Sequence, residues 1–173
     1  MAKRKSASAN PDKGASTLTG LGFKKANYFW EAHKKLHCFG KKILVMVGYH
    51  DDGVRDDQLS GLKSLLASRV DLRAVVERTM LAYCQEQLEW EKEAAEHEGE
   101  GSERVKPWKL TPKQLWKATT LETVVFQHMG QRKNRLPGFY LEVWGDWDEE
   151  HPVEIGFQRG RNGRWRVTGA EMG

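Results

Sequence analysis

Cysteine is scarce: only Cys38 and Cys84 occur, with no CxxC pair and no second cluster of metal-type ligands. That excludes a disulfide framework and a structural zinc site, and it leaves two reduced, buried thiols as the expectation. Long apolar runs are also missing. The longest, Ile43 to Val47, has the length of a strand and falls far short of the roughly 18 residues that a membrane-spanning helix requires. The start, Met1-Ala2-Lys3-Arg4-Lys5, is basic, but Ser6 to Ser16 supplies Ser, Ala, Asn, Pro and Gly where a secretory signal needs an apolar stretch. A cytoplasmic location is therefore expected. No serine lies in a G-x-S-x-G setting, and Cys38 beside His37 has no third group to orient a nucleophile. The segment Gly20-Leu21-Gly22-Phe23-Lys24-Lys25 lacks the spacing of a phosphate loop and follows no strand. No cofactor is implied.

What is present is an uneven distribution of charge over 173 residues. Residues 1–42 hold ten Lys or Arg against Asp12 and Glu31, and residues 43–173 hold eighteen against twenty-two acids, so a front of +8 precedes a body of −4. Residues 1–22 are polar, with Leu18 as their one large apolar residue besides Met1 and Leu21, and are expected to form a disordered basic arm, because burial cannot offset the entropy of ordering them. A single domain is expected over 23–173.

Within that domain Phe23 to Phe39 suggests two short strands. Lys41 to Tyr49 reads as a central strand, with Ile43, Val45 and Val47 on one face and Leu44 and Met46 on the other. Asp56 or Asp57 is placed to cap a helix carrying Leu59, Leu62, Leu65 and Leu66. Asp71 is placed to cap a second, with Leu72, Val75, Val76, Met80, Tyr83 and Trp90 along one face and an end near Glu93 to His97. Glu98 to Val105 reads as an exposed loop, and Thr111-Pro112-Lys113-Gln114 has the form of a capping box opening a short helix. Strands follow at Leu121 to His128, Phe139 to Trp144 and Val153 to Phe157. Gly160-Arg161-Asn162-Gly163 then makes a tight turn into Trp165 and Val167. The expected class is α+β: a mainly antiparallel sheet or meander packed on a helix pair.

The densest run of polar groups is Asp146-Trp147-Asp148-Glu149-Glu150-His151, between two expected strands. Acids in such a connection usually form a solvated turn, whereas Trp beside acids is typical of protein interfaces. Together with strand Val153 to Phe157 and hairpin Gly160 to Val167, this run is similar to a widespread bacterial domain of unknown function with a W-D-x-E-H-G element near its C-terminus, Pro152 standing here in place of the Gly. Some members of that family resemble proteins encoded near polymorphic toxins, which implies an immunity-type role and carries over no catalytic residue.

The preferred expectation is a noncatalytic cytoplasmic protein-binding domain that presents Trp144, Asp146, Trp147, Asp148, Glu149, Glu150 and His151 to a partner such as a basic toxin. One alternative is nucleic-acid association through Lys3, Arg4, Lys5, Lys24 and Lys25, joined by Lys34, Lys35, Lys41 and Lys42. Another is a small metal-dependent enzyme centred on Asp146, Asp148, Glu150 and His151.

Overall fold

The computed structural model describes Asp12 and residues 14–49, 53–97, 111–127, 137–145 and 148–173. Seven strands lie in one sheet in sequence order: β1 (Lys24–Lys25), β2 (Phe29–Leu36), β3 (Lys41–Gly48), β4 (Thr119–Phe126), β5 (Gly138–Gly145), β6 (Asp148–Arg159) and β7 (Trp165–Met172). All neighbours are antiparallel except β3 and β4, which run parallel. A parallel joint needs a crossover. It is made by α2 (Asp56–Ala67), α3 (Arg73–His97) and α4 (Pro112–Ala118), while α1 (Ala15–Gly20) precedes the sheet. The mainly antiparallel α+β class stands, with the parallel joint as its one departure from a plain meander.

Period-two alternation sorts the sheet into two faces. Ile43, Val45 and Val47 lie level with Val124 and Phe126, then with Leu141 and Val143, and then with Val153, Ile155 and Phe157; all are buried. Leu62 and Leu65 from α2, and Val76 and Met80 from α3, belong to the same cluster, so the helix pair covers this face. At its centre Phe139 is stacked on Phe157 at 4.9 Å, meets Trp165 edge-on at 4.9 Å and lies 5.5 Å from Phe126 and 6.5 Å from Phe39. Cys38 and Cys84 are both buried, and burial pushes each thiol up to about 11, so neither is available as a thiolate nucleophile at neutral pH.

Helix starts follow local chemistry. The Asp71 carboxylate accepts from the backbone N–H of Arg73 at 2.9 Å. Thr111 and Gln114 exchange the reciprocal bonds of a capping box ahead of Pro112. At α2 the capping position is Arg55, whose N–H donates to Gln58 Oε1 at 2.9 Å, so Asp56 and Asp57 belong to the first turn and do not cap. The carboxylates still sit well there, because a helix N-terminus favours negative charge.

Three further expectations change. The arm does not run to residue 22: Ala15–Gly20 is helical, Leu18 is fully buried in the core, and Ala15 and Leu21 pack against the same core, so a few apolar side chains anchor the segment next to a formed core. Lys3, Arg4 and Lys5 lie outside the described residues. Trp90 is 66% exposed and joins no core face, because the buried positions of α3 end at Cys84 and the helix continues beyond them. Finally, β6 begins at Asp148, with Gly145 opposite it, so Asp148, Glu149 and Glu150 lie on a strand and not in the expected bend, while Asp146 and Trp147 lie outside the described residues. The Glu98 to Val105 loop and Trp108 lie outside the described residues.

Candidate functional site

The sheet face turned away from the helix-side core is polar where β5, β6 and β7 meet. Glu142 stands directly opposite Glu154, and Glu154 directly opposite Glu171, so three carboxylates form a ladder across three consecutive strands. Thr123 of β4 continues the row on one side. Like charges placed opposite one another oppose folding by a fraction of a kcal/mol to about 1 kcal/mol per pair. Among the described residues, the ion pairs seen are Arg55 with Asp57 and Arg73 with Asp71, neither of which reaches this ladder.

The electrostatics record the strain. Partial burial, and then its neighbours Glu142 and Glu171, raise the Glu154 carboxyl above the ordinary carboxylate range. Burial also raises Glu142, opposed by a hydrogen bond from Thr123 and reinforced by Glu122. Tyr140, on the same face, is pushed up to about 12 by burial and by Glu154 and Glu142, while its hydroxyl accepts from Gln127 Nε2 at 2.7 Å. All three groups thus hold their protons more tightly than in the unfolded chain.

A cavity of about 520 Å³ opens beside the ladder, lined by Tyr140, Gln127, Glu154, Glu171 and Gln158, with Asp57 at its rim. Its floor is shaped by glycine. Gly156 pairs with Gly169, and a β-bulge at that step leaves Thr168 as an extra residue of β7, between Val167 (opposite Phe157) and Gly169. A Cβ on Gly156 would lie 2.5 Å from Thr168 Oγ1, so the bulged threonine occupies the space that a side chain there would need.

The residues expected to form the site are only partly brought together. Trp144 follows Glu142 on the same face of β5; it is half-buried, and its indole Nε1 is buried with no acceptor among the described residues. Asp146 and Trp147 lie outside the described residues, Asp148, Glu149 and Glu150 open β6, and His151 is exposed on that strand. Among the described residues no three His, Cys, Asp or Glu side chains gather in metal-binding geometry. Lys24 and Lys25 are exposed on β1, at the far edge of the sheet. Lys25 Nζ sits 5.0 Å from the centre of the Tyr49 ring, and Lys34 lies over Phe23 while donating to the Leu21 carbonyl. Lys35 pairs with Lys42 across β2 and β3, so the sheet carries cations at one end and anions at the other.

The ladder and Tyr140 were not singled out in the sequence. Alternation marks Glu142 and Glu154 as facing away from the core, but nothing local reveals that they and Glu171 share a register.

A family model for a domain of unknown function, DUF6985, matches residues 20–166. The chain belongs to that family. The match covers α1's last residue, strands β1 to β6, the first two residues of β7 and all the crossover helices. No curated protein and no solved structure matches the chain. No helix among the described residues is long and apolar enough to cross a membrane.

One measurable consequence follows from the ladder. In the folded chain Glu142 and Glu154 bind protons more tightly than in the unfolded chain, so stability falls as pH rises from the ordinary carboxylate range through their raised values. Glu154→Gln is expected to add about 0.5 kcal/mol at pH 7 and to flatten that fall above about pH 4. Urea unfolding of both proteins at pH 4, 5.5 and 7 checks it; an unchanged pH slope would mean that the ladder is neutralised by other groups.

Proposed function

We propose that this DUF6985 domain is a noncatalytic binding module that receives a basic protein surface on the open face of β5 to β7. The supporting observation is the Glu142–Glu154–Glu171 ladder beside an open cavity. Three carboxylates in register, with no ion-pair partner among the described residues, work against the fold, whereas an incoming cationic surface converts their repulsion into attraction and accelerates encounter. Trp144, half-buried two residues beyond Glu142 on the same face of β5, supplies the aromatic contact area that binding hot spots use, and Asp146 and Trp147 follow it in sequence. The resemblance of Trp147 to His151 to an element of a bacterial domain, some members of which resemble proteins encoded near polymorphic toxins, gives this reading its finer form: a cytoplasmic immunity-type protein that neutralises a basic toxin.

The test is affinity capture from the native host. Wild type is expected to retain a protein that Glu142→Lys with Glu154→Lys loses, and that Trp147→Ala with Asp148→Ala holds more weakly. Recovery of no protein, or equal recovery by all three, overturns the reading.

A second reading rests on the opposite end of the sheet, where Lys24, Lys25, Lys35, Lys41 and Lys42 are exposed on three adjacent strands. Phosphate contacts there would give nucleic-acid affinity that falls steeply with salt. Failure of a 20-base-pair DNA duplex to bind at low ionic strength removes it.

A further inference from the structure

We infer that β7 is a self-pairing edge at which two copies of the chain join antiparallel, with Arg166 of each copy set opposite Glu171 of the other. β7 ends the sheet, and among the described residues its backbone bonds go to β6 alone. Arg166, Thr168, Gly169, Glu171 and Met172 are exposed; Val167 and Ala170 are half-buried against the core.

The register follows from the bulge. Residues opposite one another in a sheet must share a face, and in a regular strand residues an odd number apart point to opposite faces. The extra residue at Thr168 shifts that alternation by one. Val167 therefore shares the core face with Ala170, as their partners Phe157 and Ile155 require. Arg166 shares the open face with Glu171, as their partners Gln158 and Glu154 require. A symmetric seam with its two-fold axis between Thr168 and Gly169 then sets Trp165 against Met172, Arg166 against Glu171 and Val167 against Ala170, matching apolar with apolar and cation with anion twice over.

The pairing also answers the ladder. Glu171 is its last carboxylate and faces Glu154, whereas among the described residues the guanidinium of Arg166 donates to the neutral Gln158, at 3.0 Å. Arg166 of the second copy would cap the row of acids across the seam. Charges and bulges on an edge strand normally reject a passing strand. These reject an arbitrary one but suit the chain itself in a single register.

A seam of one strand is small, so association in the micromolar range is expected. Sedimentation equilibrium of the full chain should show a concentration-dependent dimer. Arg166→Glu and Glu171→Arg should each weaken it by about tenfold or more, since each places like charges opposite at two symmetric positions. Mixed in equal amounts, the two variants should recover the dimer, because the acidic edge of one then faces the basic edge of the other. The double variant R166E/E171R should dimerise with itself, and circular dichroism confirms that each variant is folded. A wild-type chain that stays monomeric, a dimer indifferent to both single changes, or a mixture that stays monomeric overturns the inference. None of these outcomes depends on the partner proposed above.

Discussion

Phe139→Ala is expected to lower the unfolding free energy by about 4 kcal/mol, within the range for truncating a buried aromatic. The residue is 5% exposed and touches four other rings, Phe39, Phe126, Phe157 and Trp165. Those rings come from four different segments: the β2–β3 turn, the end of β4, β6 and the start of β7. Such a ring cannot be replaced by a local adjustment, because closing the cavity would require strands on both sides of the parallel joint to move together. A domain of this size has a total stability of only about 5 to 15 kcal/mol, so the loss removes a large share of it. Phe139→Leu, which keeps most of the apolar volume, should cost about 1.5 kcal/mol. Urea unfolding at pH 7 separates the two. A loss below about 1 kcal/mol for the alanine variant would show that the aromatic cluster does not hold the sheet halves together.

The origin of that cluster explains what could be read from the sequence and what could not. Ile43, Val45 and Val47, or Val153, Ile155 and Phe157, declare their strand and its buried face through alternation alone. The Asn162-Gly163 turn announces its hairpin, and Gly163 has the positive φ that this turn needs. Both signals span only a few residues. The parallel joining of β3 to β4 depends on contacts between residues about eighty positions apart, and no local pattern records it. Leu18 shows the same limit from the other side: one leucine among mostly polar neighbours looks unable to order its segment, and it does so, with Ala15 and Leu21 packed beside it, only because a core assembled by distant residues receives it. The candidate site follows this rule. The acids at Asp146 to Glu150 stand out because they are adjacent in sequence, whereas Glu142, Glu154 and Glu171 are brought into register by two strand pairings and a bulge.

The parallel joint also carries the second large effect. Gln58, 4% exposed, extends from the first turn of α2 to the ends of both parallel strands, where its Nε2 donates to the Gly48 carbonyl at 2.8 Å and to the Phe126 carbonyl at 2.9 Å. Its Oε1 accepts from the Arg55 N–H. One amide thereby ties the helix start to β3 and β4, and it does so at the rim of the cavity beside the ladder. Gln58→Leu leaves two buried carbonyls and one N–H without partners and is expected to cost about 3 kcal/mol. Gln58→Glu sharpens the test, because a carboxylate would face two carbonyl oxygens that it can only repel, whereas a protonated carboxyl can still donate to one of them. The folded state would then bind that proton more tightly than the unfolded state, so the glutamate variant should gain stability relative to wild type as pH falls from 7 to 5. Unfolding curves at the two pH values read this directly. A glutamate variant equal to wild type at pH 7, or one whose deficit does not shrink on acidification, would mean that the amide does not close the joint.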